Sequence, residues 1–103
     1  MDEYQSEAVK FMNPALSVGD RVVNCALGLA GEVGEVIEPI KKHLFHGKPL
    51  FKDDLEKEIG DVLWYVANLC EALGLDMSVV AEKNIHKLSA RWPDGFKVKE
   101  VEA

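Results

Sequence analysis

The sequence predicts an all-α fold, and three observations carry that prediction. Apolar residues recur at helical spacing along most of the 103 residues, while the alternation typical of strands is nearly absent. Four such patterns are joined by short connections, which favours antiparallel neighbours. Because a chain this short buries only a limited core, we expect an antiparallel four-helix bundle that is completed by oligomerisation.

The first two helical patterns lie in the N-terminal half of the chain. One covers about residues 2–12. The other covers about residues 20–45, with Asp20 as the expected N-cap and Gly47 as the expected stop. Pro39 lies inside the second pattern and predicts a kink, because proline removes a backbone donor and clashes with the preceding turn.

The third and fourth patterns follow in the C-terminal half. The third covers about residues 53–73, with Asp53 as the expected cap and Gly74 as the expected stop. The fourth covers about residues 77–91, and Asp76 is its expected N-cap. All four patterns therefore carry recognisable end signals in the sequence itself.

The totals indicate a single globular domain over residues 1–103, with a core over residues 20–92 and a short tail over residues 93–103. The net charge of −6 argues against nucleic-acid binding, which depends on basic patches. Uncharged runs are too short for a membrane span, and the acidic N-terminus is no signal peptide. Cys25 and Cys70 lack metal-ligand spacing and are expected as buried free thiols, so we expect a cytoplasmic protein.

The second helical pattern has two unlike sides. One side is apolar and is expected to face the core; it consists of Val22, Ala26, Leu29, Val33, Val36, Ile37, Ile40 and Leu44. The other side combines acids with glycines, namely Asn24, Gly28, Gly31, Glu32, Glu35 and Glu38. Glycine inside a helix costs about 1 kcal/mol relative to alanine. We therefore expect either close approach of another helix or space for a ligand beside the carboxylates.

The third pattern is apolar on two sides. Its main apolar face consists of Leu55, Ile59, Val62, Val66, Leu69 and Leu73. Gly60, Trp64 and Ala67 form a second face on nearly the opposite side, which is expected to meet another subunit. Glu58 and Asp61 nevertheless lie near the start of this helix. Because carboxylates rarely enter an interior unpaired, we expect them to face a crevice and a cation.

Two acidic pairs, Glu32-x-x-Glu35 and Glu58-x-x-Asp61, are separated by 22 residues. Each pair lies on one helical face, and two antiparallel helices can bring the pairs together. Four carboxylates match two divalent cations in charge, and oxygen ligands favour Mg²⁺ or Mn²⁺. The alternative is a solvated acidic stripe, because this spacing is common on exposed helices.

The fourth helix offers a basic complement within about 100° of arc. It consists of Lys83, Asn84, Lys87 and Arg91. These side chains either donate to phosphate oxygens, with Arg91 able to bind two at once, or form an ordinary solvated face. An acidic metal site beside a basic face is what a polyphosphate requires.

Three stretches resemble the MazG-like all-α nucleoside triphosphate pyrophosphohydrolases: GLAGEVGEVIEPIKKHL, DLEKEIGDVLWYVANLCEALGLD and KNIHKLSARWPDGF. The similarity covers about residues 20–96 and includes an ExxE–spacer–ExxD signature. The resemblance implies hydrolysis of a (deoxy)nucleoside triphosphate between the α and β phosphates, giving monophosphate and pyrophosphate. It also implies a homo-oligomer, either a dimer or a dimer-of-dimers tetramer.

The resemblance also implies roles for matched residues. Four acids would hold Mg²⁺ or Mn²⁺, with two or more ions per site: Glu32, Glu35, Glu58 and Asp61. The base that orients or deprotonates the attacking water would be Glu35 or Glu38, although Glu38 is also a possible further ligand. Four side chains of the fourth helix would contact the phosphates and sugar: Lys83, Asn84, Lys87 and Arg91. Asn24, on the carboxylate side near Gly28, is a candidate for reading a base edge.

Several alternatives stay open. A dUTP-directed or phosphoribosyl-ATP pyrophosphohydrolase shares the scaffold and acid pattern, and a non-enzymatic helical interaction module would bind metal only loosely. A di-iron protein is disfavoured because the histidines form no ExxH motif with Glu35 or Glu58. Surface positions are therefore expected for His43, His46 and His86. Trp64 and Trp92 are expected to pack rather than to stack on a base.

Overall fold

The computed structural model describes residues 1–98, which contain four α-helices and no strand. The helices are α1 (Asp2–Ala8), α2 (Val18–His46), α3 (Lys52–Ala72) and α4 (Met77–Arg91), with a 3₁₀ turn over Val9–Phe11 after α1. The predicted all-α class is confirmed. Within this part of the chain, no single helix is long and apolar enough to cross a membrane. The end of the predicted tail, residues 99–103, lies outside the described residues.

The helix ends agree with the sequence prediction except at two N-caps and at the end of α1, which stops at Ala8 and continues only as the 3₁₀ turn. Ser17, not Asp20, caps α2, because the Ser17 hydroxyl accepts the backbone N–H of Asp20 at 3.2 Å. Asp53 is the second residue of α3 rather than its cap, so that prediction is also wrong. Gly47 and Gly74 are confirmed as stops, with φ of 63° and 69° in the left-handed region that glycine adopts readily.

α2 and α3 pack against each other as an antiparallel pair. Gly28 contacts the Tyr65 ring, and one turn further along α2 Glu32 approaches Asp61. Residue numbers therefore rise on one helix as they fall on the other. The side of α2 that meets α3 carries glycine and acid as well as the fully buried Cys25.

The apolar side of α2 was predicted to face the core. This is confirmed only for the part of that side nearest to α3. Leu29 and Val36 are half-buried there. Val33, Ile37 and Leu44 are 43%, 55% and 66% exposed. Because α2 and α3 approach closely at Gly28, α3 lies over the border between the apolar side of α2 and its glycine and acid side. The rest of the apolar side of α2 is left uncovered.

The second apolar face of α3 is covered by α1 of the same chain. The Trp64 indole donates a hydrogen bond to the carbonyl of Ala8 at 2.9 Å. Ala8 also forms the small buried core together with Ala67, Cys70 and Met77, and Trp64 packs against it. The N-terminal helix thus takes the place expected for another subunit at Trp64 and Ala67, whereas Gly60 stays exposed.

α4 does not complete a bundle within the chain. α3 and α4 meet at a bend of 102°, so the antiparallel position predicted for α4 is wrong. A cavity of about 260 Å³ lies between them. The radius of gyration is 17.6 Å, well above the roughly 13 Å of a compact chain of this length. The α4 helix therefore projects from the α2–α3 pair.

Substitution of two nearby glycines tests the α2–α3 contact. A Cβ at Gly28 would overlap the Tyr65 ring, whereas a Cβ at Gly31 meets nothing within 4 Å. We expect Gly28→Ala to lower the free energy of unfolding by about 1–3 kcal/mol, the usual cost of overpacking. Its matched control Gly31→Ala should leave stability unchanged or raise it by up to about 1 kcal/mol. Urea denaturation measures both variants, and equal effects would contradict the contact.

Candidate metal centre

Three carboxylates converge where α2 passes the first turns of α3. Glu32, Glu58 and Asp61 each place one oxygen within 4.8 Å of the others. Glu32 and Glu58 are half-buried, while Asp61 is exposed. The structure therefore brings together three of the four predicted metal ligands in a group with one side open to solvent. Such a group has the charge and the oxygen donors that a divalent cation requires.

The surroundings of Glu32 in this group raise its pKa. Partial burial raises that pKa first, and the negative charges of Asp61, Glu58 and Glu35 raise it further. A hydrogen bond shared with Glu58 favours the protonated form in the same direction. Without a cation, these carboxylates repel one another, and this repulsion disfavours the ionised form of Glu32.

Two other predicted acids lie outside this three-carboxylate group. Glu35 is exposed one turn beyond Glu32, close enough for its charge to raise the pKa of Glu32. Glu38 is also exposed, and it forms an ion pair with Lys42 at 3.8 Å across one turn of α2. The geometry thus places Glu35 beside the candidate centre and gives Glu38 a different partner.

Tyr4 is a neighbour of the centre that the sequence reasoning missed. It lies on α1 and packs against the small buried core. Burial raises the pKa of the Tyr4 phenol, and the nearby charge of Asp61 raises it further. The hydroxyl therefore stays protonated at neutral pH and is available as a donor. Nothing local in the sequence connects α1 with the acids of α3, so only the packing of α1 reveals this neighbour.

The predicted substrate-binding side chains are all exposed: Asn24, Lys83, Asn84, Lys87 and Arg91. Asn84 lines the cavity between α3 and α4, and the Arg91 guanidinium lies 5.4 Å from the centre of the Trp92 ring. The two salt bridges found among residues 1–98 lie elsewhere, so no cation of α4 pairs with the three carboxylates. Within one chain, the basic arc and the acidic group remain separate.

The residues set aside by sequence reasoning behave as expected. Surface positions are confirmed for the three histidines, His43, His46 and His86. Cys25 and Cys70 are free and buried, and burial raises the pKa of both thiols. Protonated thiols are poor metal ligands, so the cysteines are structural. Trp64 packs on the core, and the Trp92 ring packs at a tilt of 59° against Phe96 with ring centres 4.8 Å apart.

Comparison with known proteins adds an independent finding. A family model described as the MazG nucleotide pyrophosphohydrolase domain matches residues 23–96. The chain belongs to this family. The Gene 37 protein of Mycobacterium phage L5 is 41% identical over an alignment of 69 residues that covers 63% of this chain and 60% of that protein. The chain thus spans about 60% of the length of that curated relative. No solved structure matches.

Membership of the MazG family confirms the resemblance seen in the sequence. The description of the family names nucleotide pyrophosphohydrolysis as the reaction of the family as a whole. Members of the family are typically metal-dependent, which agrees with the acidic group formed by α2 and α3. The matched region begins within α2, so α1 and the 3₁₀ turn precede it.

The crowded carboxylates make the stability of the metal-free protein depend on pH. Because the pKa of Glu32 is raised on folding, its contribution to stability is complete below the ordinary glutamate value and is lost as pH rises through the raised pKa. We therefore expect Glu32→Gln to raise the melting temperature at neutral pH and to have little effect in acid. Thermal melts without divalent ions, from about pH 3 to about pH 8, measure this difference. A variant less stable than the wild type at neutral pH would contradict it.

Proposed function

We propose that this MazG-family chain is a metal-dependent nucleoside triphosphate pyrophosphohydrolase of the cytoplasm. It would cleave a (d)NTP between the α and β phosphates, releasing (d)NMP and pyrophosphate. The observation that supports this most directly is the convergence of Glu32, Glu58 and Asp61 to within 4.8 Å, with the pKa of Glu32 raised. A divalent cation would replace the mutual repulsion of these groups by coordination.

The donor set favours a hard cation. Carboxylate oxygens are the ligands of Mg²⁺ and Mn²⁺, and the buried, protonated thiols leave no soft donor nearby. Glu32, Glu58 and Asp61 would hold the ions, and Glu35, one turn along α2, would complete the set. The bound metal supplies charge neutralisation and a water of lowered pKa.

Side chains of the protein would then take the proton of the attacking water and bind the phosphates of the leaving group. Glu35, exposed and beside the carboxylate group, would orient or deprotonate the attacking water. Glu38 is the alternative base, although its ion pair with Lys42 would have to open. Phosphates and sugar would be bound by the basic arc of α4, Lys83, Asn84, Lys87 and Arg91, and a base edge by Asn24.

We further propose that the active protein is a homo-oligomer, either a dimer or a dimer-of-dimers tetramer. Apolar side chains that a closed bundle would bury are largely exposed in one chain. Among them, Ile37, Leu44, Ile59 and Ile85 are 55%, 66%, 55% and 62% exposed. Apolar surface of this kind on a projecting helix and along α2 is typical of an association surface. In an oligomer, the basic arc of one copy can serve the acidic group of another.

Metal binding can be measured apart from turnover. We expect Mn²⁺ to bind saturably in calorimetry and Asp61→Asn to weaken that binding at least about tenfold, because it removes one charged ligand from the group. Glu38→Gln is the matched control, since Glu38 lies outside the group, and it should change the affinity little. A wild-type protein without saturable Mn²⁺ binding would favour the non-enzymatic interaction module instead.

Turnover tests the activity itself. Pyrophosphate release should be screened over the common and damaged (d)NTPs, with dUTP and phosphoribosyl-ATP included, in Mg²⁺ and in Mn²⁺. With the best substrate, we expect Glu35→Gln and Asp61→Asn to lose at least about 100-fold in kcat/KM while the circular dichroism spectrum stays unchanged. His86→Ala, at an exposed site on α4, controls for surface changes. Turnover at the wild-type rate in both acid variants would refute the metal-site mechanism.

A further inference from the structure

The N-terminal helix α1, which lies outside the region shared with the MazG family, is joined to the α3–α4 corner by a buried glutamine. Gln5 is only 5% exposed. Its amide nitrogen donates to the carbonyl of Leu75 at 2.8 Å and to the carboxylate of Glu71 at 3.0 Å. Its amide oxygen accepts the backbone N–H of Met77 at 2.7 Å. One side chain therefore links the end of α3, the turn and the first residue of α4.

Asp2 supports the same helix end from one turn earlier on α1. Its carboxylate accepts the backbone N–H of Ser78 at 3.3 Å and the Ser78 hydroxyl at 2.9 Å. These bonds lower the pKa of Asp2, which keeps it ionised. Asp76 occupies the N-cap position as predicted, but its side chain makes no capping bond. The N–H groups of the first two residues of α4, Met77 and Ser78, are thus satisfied by α1 rather than by the local sequence.

Within one chain, the remaining contacts of α4 lie at its base, where Met77 packs in the small core with Ala67 and Cys70. Its main helix contact is with α1, and a cavity of about 260 Å³ separates it from α3 beyond the 102° bend. Among residues 1–98, the side-chain hydrogen bonds that reach α4 from another helix come from Gln5 and Asp2. These two residues are therefore the polar attachment at the base of a 15-residue helix.

The basic arc lies along α4 at increasing distance from this attachment. At 1.5 Å per residue, Lys83 lies about 9 Å and Arg91 about 21 Å beyond Met77. A swing of about 10° at the base would move Arg91 by about 4 Å, which exceeds the length of a hydrogen bond. A small change at Gln5 is thus amplified at the far end of the arc.

We propose that Gln5 is a positioning residue for nucleotide binding: together with Asp2, it fixes the direction of α4 and so places the cations of α4 for the phosphates. This inference rests on the proposed function, in which Lys83, Lys87 and Arg91 bind phosphate. If Gln5 has this role, substrate affinity and metal affinity depend on different parts of the chain. Substrate affinity depends on α1, whereas metal affinity depends on the α2–α3 pair.

The test is the substitution Gln5→Met, which keeps the length of the side chain and removes its three hydrogen bonds. We expect KM for the best (d)NTP to rise about tenfold, while the Mn²⁺ dissociation constant changes less than about twofold. In an Arg91→Ala background, Gln5→Met should raise KM much less, because both changes disable the same contact. Glu3→Gln, at an exposed site on α1, is the matched control and should leave KM unchanged.

A second measurement shows whether α4 has been released. Amide hydrogen exchange at residues 77–79 should increase in Gln5→Met, while exchange in the α2–α3 pair stays as in the wild type. Asp2→Ala gives a milder version of the same result if Gln5→Met does not fold. Faster exchange with an unchanged KM, or additive effects of Gln5→Met and Arg91→Ala, would overturn the positioning role. A wild-type protein that hydrolyses no nucleotide would instead overturn the proposed function itself.

Discussion

The contact between Gly28 and the Tyr65 ring determines how closely α2 and α3 approach, and the candidate site depends on that approach. A larger residue at position 28 would hold the helices apart. One turn further along, the same approach brings Glu32 against Glu58 and Asp61. Helix packing thus holds these carboxylates together against their electrostatic repulsion, and burial together with that repulsion raises the pKa of Glu32. A bound cation would be coordinated by these carboxylates, and its positive charge would offset their repulsion.

The same packing leaves much of the apolar surface of the single chain uncovered. α3 covers the glycine and acid border of α2, so most of the apolar side of that helix stays in contact with water. α1 closes the second face of α3, and α4 extends away at 102°. A radius of gyration of 17.6 Å describes an open arrangement rather than a closed bundle. The apolar surface available to the partner copy that we propose therefore follows from the position of α3 on α2.

The N-terminal helix has a larger role than its seven residues suggest. It fills one face of α3 through Ala8, places Tyr4 near Asp61 and caps α4 through Gln5 and Asp2. All of these contacts join α1 to residues more than fifty positions away in the sequence. A periodic pattern over residues 2–12 predicts that such a helix exists, but it contains no information about which helix it will meet.

The sequence by itself determined the four helices, the glycine stops and the two acidic pairs, because helical periodicity, left-handed glycine and i,i+3 spacing are local properties. It also identified the MazG family from the residues around those acids. Tertiary structure alone decided that Gly28 is needed for Tyr65 while Gly31 faces open space, and that Glu32 meets Glu58 and Asp61. It likewise decided the direction of α4. These outcomes depend on which helix faces meet, and that follows from packing the whole chain rather than from any one segment of it.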